Sequence, residues 1–368
     1  SHWTGRGERY PIRAHRRIFF ERETPMTYAR NAWYVAAWGS ELPEGKPHAI
    51  TILGEPLVIY RRPGGLTALE DRCVHRLAPL SLGRCEGERL RCMYHGLLFN
   101  PDGTVAEIPG QAVVPAKARV KSYPVVESGG WIWVWMGDSA AMDEALIPPA
   151  IGPDHPDYIM GHGHLDYDAE ARLINDNLLD FSHLSFVHVN SFQAGPHFAE
   201  NLPTLETLER GVRFSRWLTD TPGPVGRKSD TLVDNYMSYD FLIPGILLMW
   251  NGSFAAATAA ACKMGKPDYD QAITGVTFTS QAVTPMTDET ARYFFCWGPH
   301  KNHGDAAMRD MLMGIAGQAF GEDKVMIEAQ HKVIRATPDP QIMPTAHDRG
   351  VTIFNRMVEK LARDEVSG

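Results

Sequence analysis

Two short segments, Cys73-Val74-His75 and Cys92-Met93-Tyr94-His95, stand sixteen residues apart and restrict this chain more than anything else in it. Each half offers one thiolate and one imidazole. Such a set serves either a single tetrahedral zinc or a [2Fe–2S] cluster with both cysteines on one iron and both histidines on the other. Zinc fingers usually group cysteine with cysteine and histidine with histidine. A C-x-H followed by a C-x2-H instead puts one ligand of each kind on each of two loops, and two such loops can clasp a two-iron rhomb from its two sides. The reading is a cluster held by Cys73, His75, Cys92 and His95. Neutral imidazoles in place of thiolates make it less negative, and hence easier to reduce, than a four-cysteine cluster. Cys85 has no partner at ligand spacing, and Cys262 and Cys296 read as strand residues.

Around these ligands the chain reads as strands. Trp33-Tyr34-Val35, Pro56 to Tyr60 and Trp131 to Trp135 are β-branched and aromatic runs broken by Pro63-Gly64-Gly65 and Asp102-Gly103. Trp131, Trp133 and Trp135 alternate with aliphatics and so share one strand face, expected to pack on a neighbouring domain. A Pro-rich connection from Ile147 to Pro156 follows. The expected division is therefore a β domain over 26–148 and a second domain over 149–368, in keeping with about 150 residues per domain in a chain of 368. Residues 1–25 carry six arginines and no apolar periodicity, and are read as an extension outside either domain. The Arg16-Arg17 pair is followed by Glu21-Arg22-Glu23 rather than an apolar run, which argues against an export signal.

The second half mixes helices and strands, with helices expected over Ala171 to Phe181 and, by its apolar spacing, Met308 to Ile334. Phe241 to Cys262 has no charge in 22 residues. Pro244-Gly245 interrupts it, and Asn251-Gly252 reads as a type I′ turn, so two buried strands are expected there rather than a membrane span. A net charge of −8 opposes nucleic acid and acidic membrane surfaces and favours a small-molecule partner. Five cysteines, an odd number, fit a reducing cytoplasm better than a secreted disulfide framework.

The segment Asn175 to His188 concentrates ligand-capable residues in apolar surroundings. On an ideal helix Asn177, Asp180 and His183 share one side, whereas His188 lies about 140° round from His183. Both histidines reach one ion only where the helix ends or bulges between them, which Ser182 and Ser185 permit. Two histidines and a carboxylate leave one face of a metal open, the arrangement of non-haem Fe(II) oxygenases. Asp323 is the preferred third ligand, with Glu322 and Glu328 as rivals. Candidates for a substrate pocket are Met249, Trp250, Asn251, Phe278, Trp297 and His300.

Together these residues resemble the oxygenase component of a Rieske non-haem iron oxygenase, of the vanillate O-demethylase and dicamba monooxygenase type. The likeness runs from about Thr27 to the C-terminus. It includes Arg30-Asn31-Ala32-Trp33-Tyr34-Val35-Ala36, His75-Arg76 with Ala78-Pro79-Leu80-Ser81, Tyr94-His95-Gly96-Leu97, Asp176-Asn177-Leu178 and Glu322-Asp323-Lys324. It implies an α+β chain: an N-terminal all-β Rieske [2Fe-2S] domain, then a helix-grip-like antiparallel-sheet catalytic domain. It further implies cluster binding by Cys73, His75, Cys92 and His95, and mononuclear Fe(II) on His183, His188 and Asp323. Asn177 would support the iron. Asp180 would bridge to His95 of the next subunit in a head-to-tail homotrimer. The implied reaction uses O2 and electrons from a separate flavin/ferredoxin-type reductase to oxidise a small aromatic, foremost by O-demethylating a methoxy-aromatic acid. Other oxygenations by the same chemistry, namely methyl or ring hydroxylation, diaryl ether attack and N-demethylation, remain alternatives. The chain departs from the pattern at Val74, where many relatives have proline. It departs again at Gly314, near the place of a substrate-contacting tryptophan, which argues against dicamba as substrate. From a different class, a zinc-stapled ligand-binding protein would keep the Cys/His pairs and leave Asp180, His183, His188 and Asp323 without a role.

Overall fold

A computed structural model describes residues 28–192, 195–223 and 231–367, so the arginine-rich residues 1–25 lie outside it. The second half is organised by one antiparallel sheet of seven strands. In spatial order they are Gly161–Tyr167, Ala291–Pro299, Thr274–Pro285, Ile246–Ala255, Leu232–Leu242, Gly211–Pro222 and Thr204–Leu208. Side chains alternate across such a sheet, and here both faces are covered. Val283, Tyr293, Phe295, Phe241 and Leu247 point to the helices Ala171–Leu179, Ala306–Ala336 and Arg349–Ser367. Ala282, Phe294, Cys296, Ile246 and Leu248 point the other way, into a core shared with the first half of the chain.

That shared core explains the tryptophans. The strand Trp131–Trp135 is buried at every position and pairs with Trp33–Trp38 on one side and Val125–Ser128 on the other. Trp131 packs on Trp38 with ring centroids 4.0 Å apart, and Trp38 in turn meets Phe294 of the large sheet. The Thr284 hydroxyl donates to the Val35 carbonyl at 2.6 Å across the same seam. Each such aromatic removes on the order of 150–250 Å² from water, so the seam is a continuous core and not a hinge. Two further four-stranded sheets complete the first half, and the smaller one, from Arg84–Glu86 to Val105–Glu107, carries the loops of interest.

Two sequence expectations fail locally. Asn251-Gly252 is not a turn: the strand Ile246–Ala255 runs straight through it, and the chain reverses at Ile243-Pro244-Gly245. The dipeptide instead marks a register shift between Asn251 and Ser253, where a Cβ on Gly252 would come within 2.3 Å of the Trp250 ring. The apolar spacing read over Met308 to Ile334 counts Val325 with the inward face, but in the helix Ala306–Ala336 it is 72% exposed. Asp323 and Ile327 are the buried pair there, and the residue midway between two positions four apart faces away from both. Among the described residues no helix is long and apolar enough to cross a membrane.

Candidate functional site

The Cys/His ligands sit at the tips of two loops built alike. The Cys73 N–H donates to Ala78 O and the Cys92 N–H to Leu97 O, each at 2.8 Å. The Leu77 N–H closes back on Cys73 O at 2.9 Å, and the Gly96 N–H on Cys92 O at 3.0 Å. The matched residues Leu77 and Gly96 both take positive φ, 56° and 77°. At Gly96 a Cβ would stand 2.9 Å from Pro109, so glycine is needed there for space as well as for φ. Ser81 braces the first loop by giving its N–H and its hydroxyl to Asp71, both at 2.6 Å. Arg91 braces the second by donating to Gly96 O at 2.8 Å.

Both thiols are buried and both imidazoles are exposed, with the rings 4.5 Å apart. Two inner sulfurs and two outer nitrogens at the end of a paired loop fit a [2Fe–2S] rhomb standing on its cysteine side. Around it Leu77, Met93 and Tyr94 are exposed by 55–66%.

The second group forms where helical structure breaks. The helix Ala171–Leu179 stops one residue short of Asp180, which is extended (φ −129°, ψ 97°) and accepts the Ser182 N–H on its carboxylate at 2.8 Å. Asp180 and His183 thus do not share the helix face with Asn177 that the sequence suggests, because the carboxylate competes for backbone N–H groups and restarts the chain in a new direction. A 3-10 turn, Phe181–His183, and a short helix, Leu184–Val187, carry the chain to His188. That change of geometry absorbs the angular offset, leaving the two rings 5.3 Å apart.

Asp323 comes to meet them from the long helix. Its oxygens lie 3.6 Å from His183 Nε2 and 3.3 Å from His188 Nε2, and all the ligand atoms fall within 4.8 Å of one another. Hydrogen bonds behind the rings set the proton positions. His183 Nδ1 donates to the Asp180 carbonyl at 2.5 Å, and His188 Nδ1 to Glu322 Oε2 at 3.0 Å. With those proton positions both Nε2 atoms face the Asp323 carboxylate, an arrangement in which the three groups could share a bound cation. Burial pushes the His183 pKa down, towards the neutral form; His188 is desolvated too, but its contacts with Asp323 and Glu322 outweigh that and raise its pKa.

Asn177 donates to Asp323 Oδ1 at 3.2 Å, behind the centre. Glu322 turns to His188 and to the Ser191 hydroxyl, 2.7 Å away, so it orients a ring; burial raises its pKa, but those hydrogen bonds outweigh it and hold the carboxylate low. Glu328 accepts from the Asp168 N–H and pairs with Lys324. Ser191 was missed, since a lone serine carries no signal.

Beside the triad lies a cavity of about 350 Å³, reached from Leu184, Ser191 and Phe192. Met249, Asn251 and Trp297 line it, whereas Trp250 stacks on Tyr269 across the strand, and Phe278 and His300 pack on Tyr158. Gly314 is exposed; its helix contributes Met308, Met311, Leu312 and Ile315 instead. A larger groove of about 880 Å³, by Arg30, Tyr123 and Glu365, is open and touches none of these ligands.

A paired-loop Cys/His domain fused to a sheet that carries a two-histidine, one-carboxylate group defines a two-centre metalloenzyme, and comparison with known proteins agrees. The Rieske [2Fe-2S] domain model matches residues 32–124, and that of the vanillate O-demethylase oxygenase C-terminal domain matches 167–364. The chain belongs to the vanillate O-demethylase type of Rieske oxygenases and is the terminal oxygenase component of a monooxygenase or demethylase system. It is 38% identical over 352 residues to the toluene-4-sulfonate monooxygenase system iron-sulfur subunit of Comamonas testosteroni, covering 93% of this chain and 99% of that one. It is 34% identical over 363 residues to the dicamba O-demethylase oxygenase component of Stenotrophomonas maltophilia, covering 93% and 100%. The crystal structure of dicamba monooxygenase bound to 3,6 dichlorosalicylic acid superposes with a TM-score of 0.82 at 30% identity, over 93% and 100% of the two chains. The zinc-stapled alternative falls with these matches.

Proposed function

We propose that this oxygenase component hydroxylates a methyl group carried on a small aromatic acid, and that the methyl is foremost that of an aryl methyl ether. The observation that carries the reading is the convergence of His183 Nε2, His188 Nε2 and the Asp323 carboxylate next to a cavity lined by their neighbours Leu184, Ser191 and Phe192. His183, His188 and Asp323 would hold a mononuclear Fe(II), with Cys73, His75, Cys92 and His95 holding the cluster. When bound, the cluster supplies electrons singly and the iron supplies an open face for O2. The net change is R–CH3 + O2 + 2 e⁻ + 2 H⁺ → R–CH2OH + H2O. From a methyl ether the product is a hemiacetal, which collapses to a phenol and formaldehyde.

The chain's own groups have separable tasks. His183 and His188 would present Nε2 to the iron, because Asp180 O and Glu322 engage their Nδ1 atoms. Asn177 keeps the Asp323 carboxylate turned inward. Methionine and aromatic side chains exclude water from the ring of the substrate, and Asn251 and Thr277 offer it neutral polar contacts. The Trp297 indole N–H is buried without a protein partner at the same wall.

A head-to-tail trimer suits the exposed faces. His75 and His95 stand among exposed Leu77, Met93 and Tyr94, while Phe186 and Val189, beside the triad histidines, are exposed by 74% and 56%. Asp180 engages one oxygen within its own chain, leaving the other for His95 of a neighbour. The functional division is 26–148 for the cluster half and 149–368 for the catalytic half. All five cysteines are free, which suits the cytoplasm, and a separate reductase would supply the electrons.

Methyl hydroxylation without ether cleavage is the second reading, favoured by the 38% identity to the toluene-4-sulfonate system subunit. Purified protein with a ferredoxin-type reductase and NADH separates the two. Formaldehyde from 4-methoxybenzoate supports demethylation, and a benzylic alcohol from 4-toluenesulfonate supports the second reading. Turnover by NADH alone would sink the need for a reductase.

A further inference from the structure

We infer that His347 is a positioning residue for the Asp180 carboxylate; this rests on the reading of Asp180 as the bridge to the next subunit. His347 stands far along the chain, in the turn Ala346–Asp348 that joins the two long C-terminal helices. Thr345 sets that turn: its hydroxyl accepts the His347 N–H at 3.3 Å, and its own N–H goes to the Asp348 carboxylate. Both ring nitrogens then have a polar neighbour. Nε2 lies 3.1 Å from the carbonyl oxygen of Ala199. A carbonyl only accepts, so Nε2 carries a hydrogen. Nδ1 lies 3.9 Å from Asp180 Oδ1. That spacing is within ion-pair range, and both side chains are partly buried (20% and 24% exposed).

Asp180 Oδ1 thus has neighbours in two directions: it accepts the Ser182 N–H at 2.8 Å and stands 3.9 Å from His347 Nδ1. A rotation of the carboxylate would break the first contact and lengthen the second. The Arg216 charge also acts on Asp180, but from a guanidinium anchored elsewhere. Arg216 is buried and donates to Phe198 O at 3.0 Å, and Asp176 accepts from Asn355 at 2.9 Å. His347 therefore does for Asp180 what Glu322 does for His188: it removes a rotational freedom that electron transfer cannot tolerate.

The test follows oxidation of the dithionite-reduced cluster by O2, read by its visible absorbance, with whichever of 4-methoxybenzoate and 4-toluenesulfonate turns over above. His347→Ala is expected to slow cluster oxidation and kcat by about tenfold with KM, iron and sulfide unchanged. His347→Gln, which can still donate to Ala199 O but carries no charge, is expected to be as slow. Asp180→Asn is expected to be slower still, and the double variant no slower than Asp180→Asn alone. Full speed in His347→Gln, or multiplied losses in the double variant, would show that His347 merely holds the Ala199 turn and would overturn the inference. Wild-type speed in His347→Ala beside a slow Asp180→Asn overturns it alone. Wild-type speed in Asp180→Asn overturns the bridge reading and this inference with it.

Discussion

The proposed cluster ligands come from one short stretch, residues 73–95, on two loops of nearly identical hydrogen bonding, and they end with their imidazoles in solvent. The triad is assembled from a broken helical segment and a distant long helix, and Asp323 and His188 are buried, at 5% and 1% exposure. The first region is shaped chiefly by its own backbone, with Asp71 and Arg91 as braces; the second is fixed by side chains behind side chains, Glu322 behind His188 and Asn177 behind Asp323. Local geometry suffices where a group must be presented outward. An enclosed centre with an open face needs help from elements far apart in the chain, because every buried acceptor must be answered.

The sharpest way to break this contrast is His183→Ala, expected to abolish turnover while the cluster survives. Iron analysis should fall from about three to about two per chain with sulfide constant. Loss of sulfide as well would show that the regions are not independently built. Asp180→Asn comes next: turnover is expected to drop at least about a hundredfold with both centres filled, because the only change lies between them. A smaller effect belongs to Glu322→Gln, which weakens the hold on one ring. Iron affinity, measured by competition with a chelator, should weaken by roughly 10–100-fold, and unchanged affinity would remove the distinction drawn for the buried centre.

The least disruptive pair compares the loops with each other. Gly96→Ala meets both a positive φ and the Pro109 ring, so it should lower stability by about 1–3 kcal/mol and shed cluster on mild heating. Leu77→Gly at the matched position should change stability by less than about 1 kcal/mol. Equal effects at the two sites would mean that the likeness of the loops is only superficial.

The cluster loops were legible because ligand type and spacing are local properties of a sequence. The strands from Trp33 and Trp131 and the long helix were legible for the same reason, through period and composition. What the sequence hides is decided by contacts across the chain. Asn251-Gly252 has the letters of a turn, yet both flanking segments pair within the sheet, and the nearby Pro244-Gly245 makes the reversal instead. Asp180 falls in register with a helix, and only its carboxylate's preference for the Ser182 N–H ends that helix early. Glu322 and Asp323 are adjacent carboxylates, and only the folded helix separates their roles: Asp323 meets Nε2 of both histidines, Glu322 the Nδ1 of His188. His347 offers no motif at all.

The tryptophan core running from Trp33 through Trp131 into Phe294 and Cys296 limits how such enzymes can be recombined. A chimaera cut at the Pro-rich connection would carry one half of a single hydrophobic interior to a stranger's sheet. Its indoles would meet the wrong contours, and its Thr284 hydroxyl would lose the carbonyl it serves. The electron-carrying module of this lineage is thus heritable only together with the strand face it leans on, and exchange between relatives has to follow the packing rather than the linker.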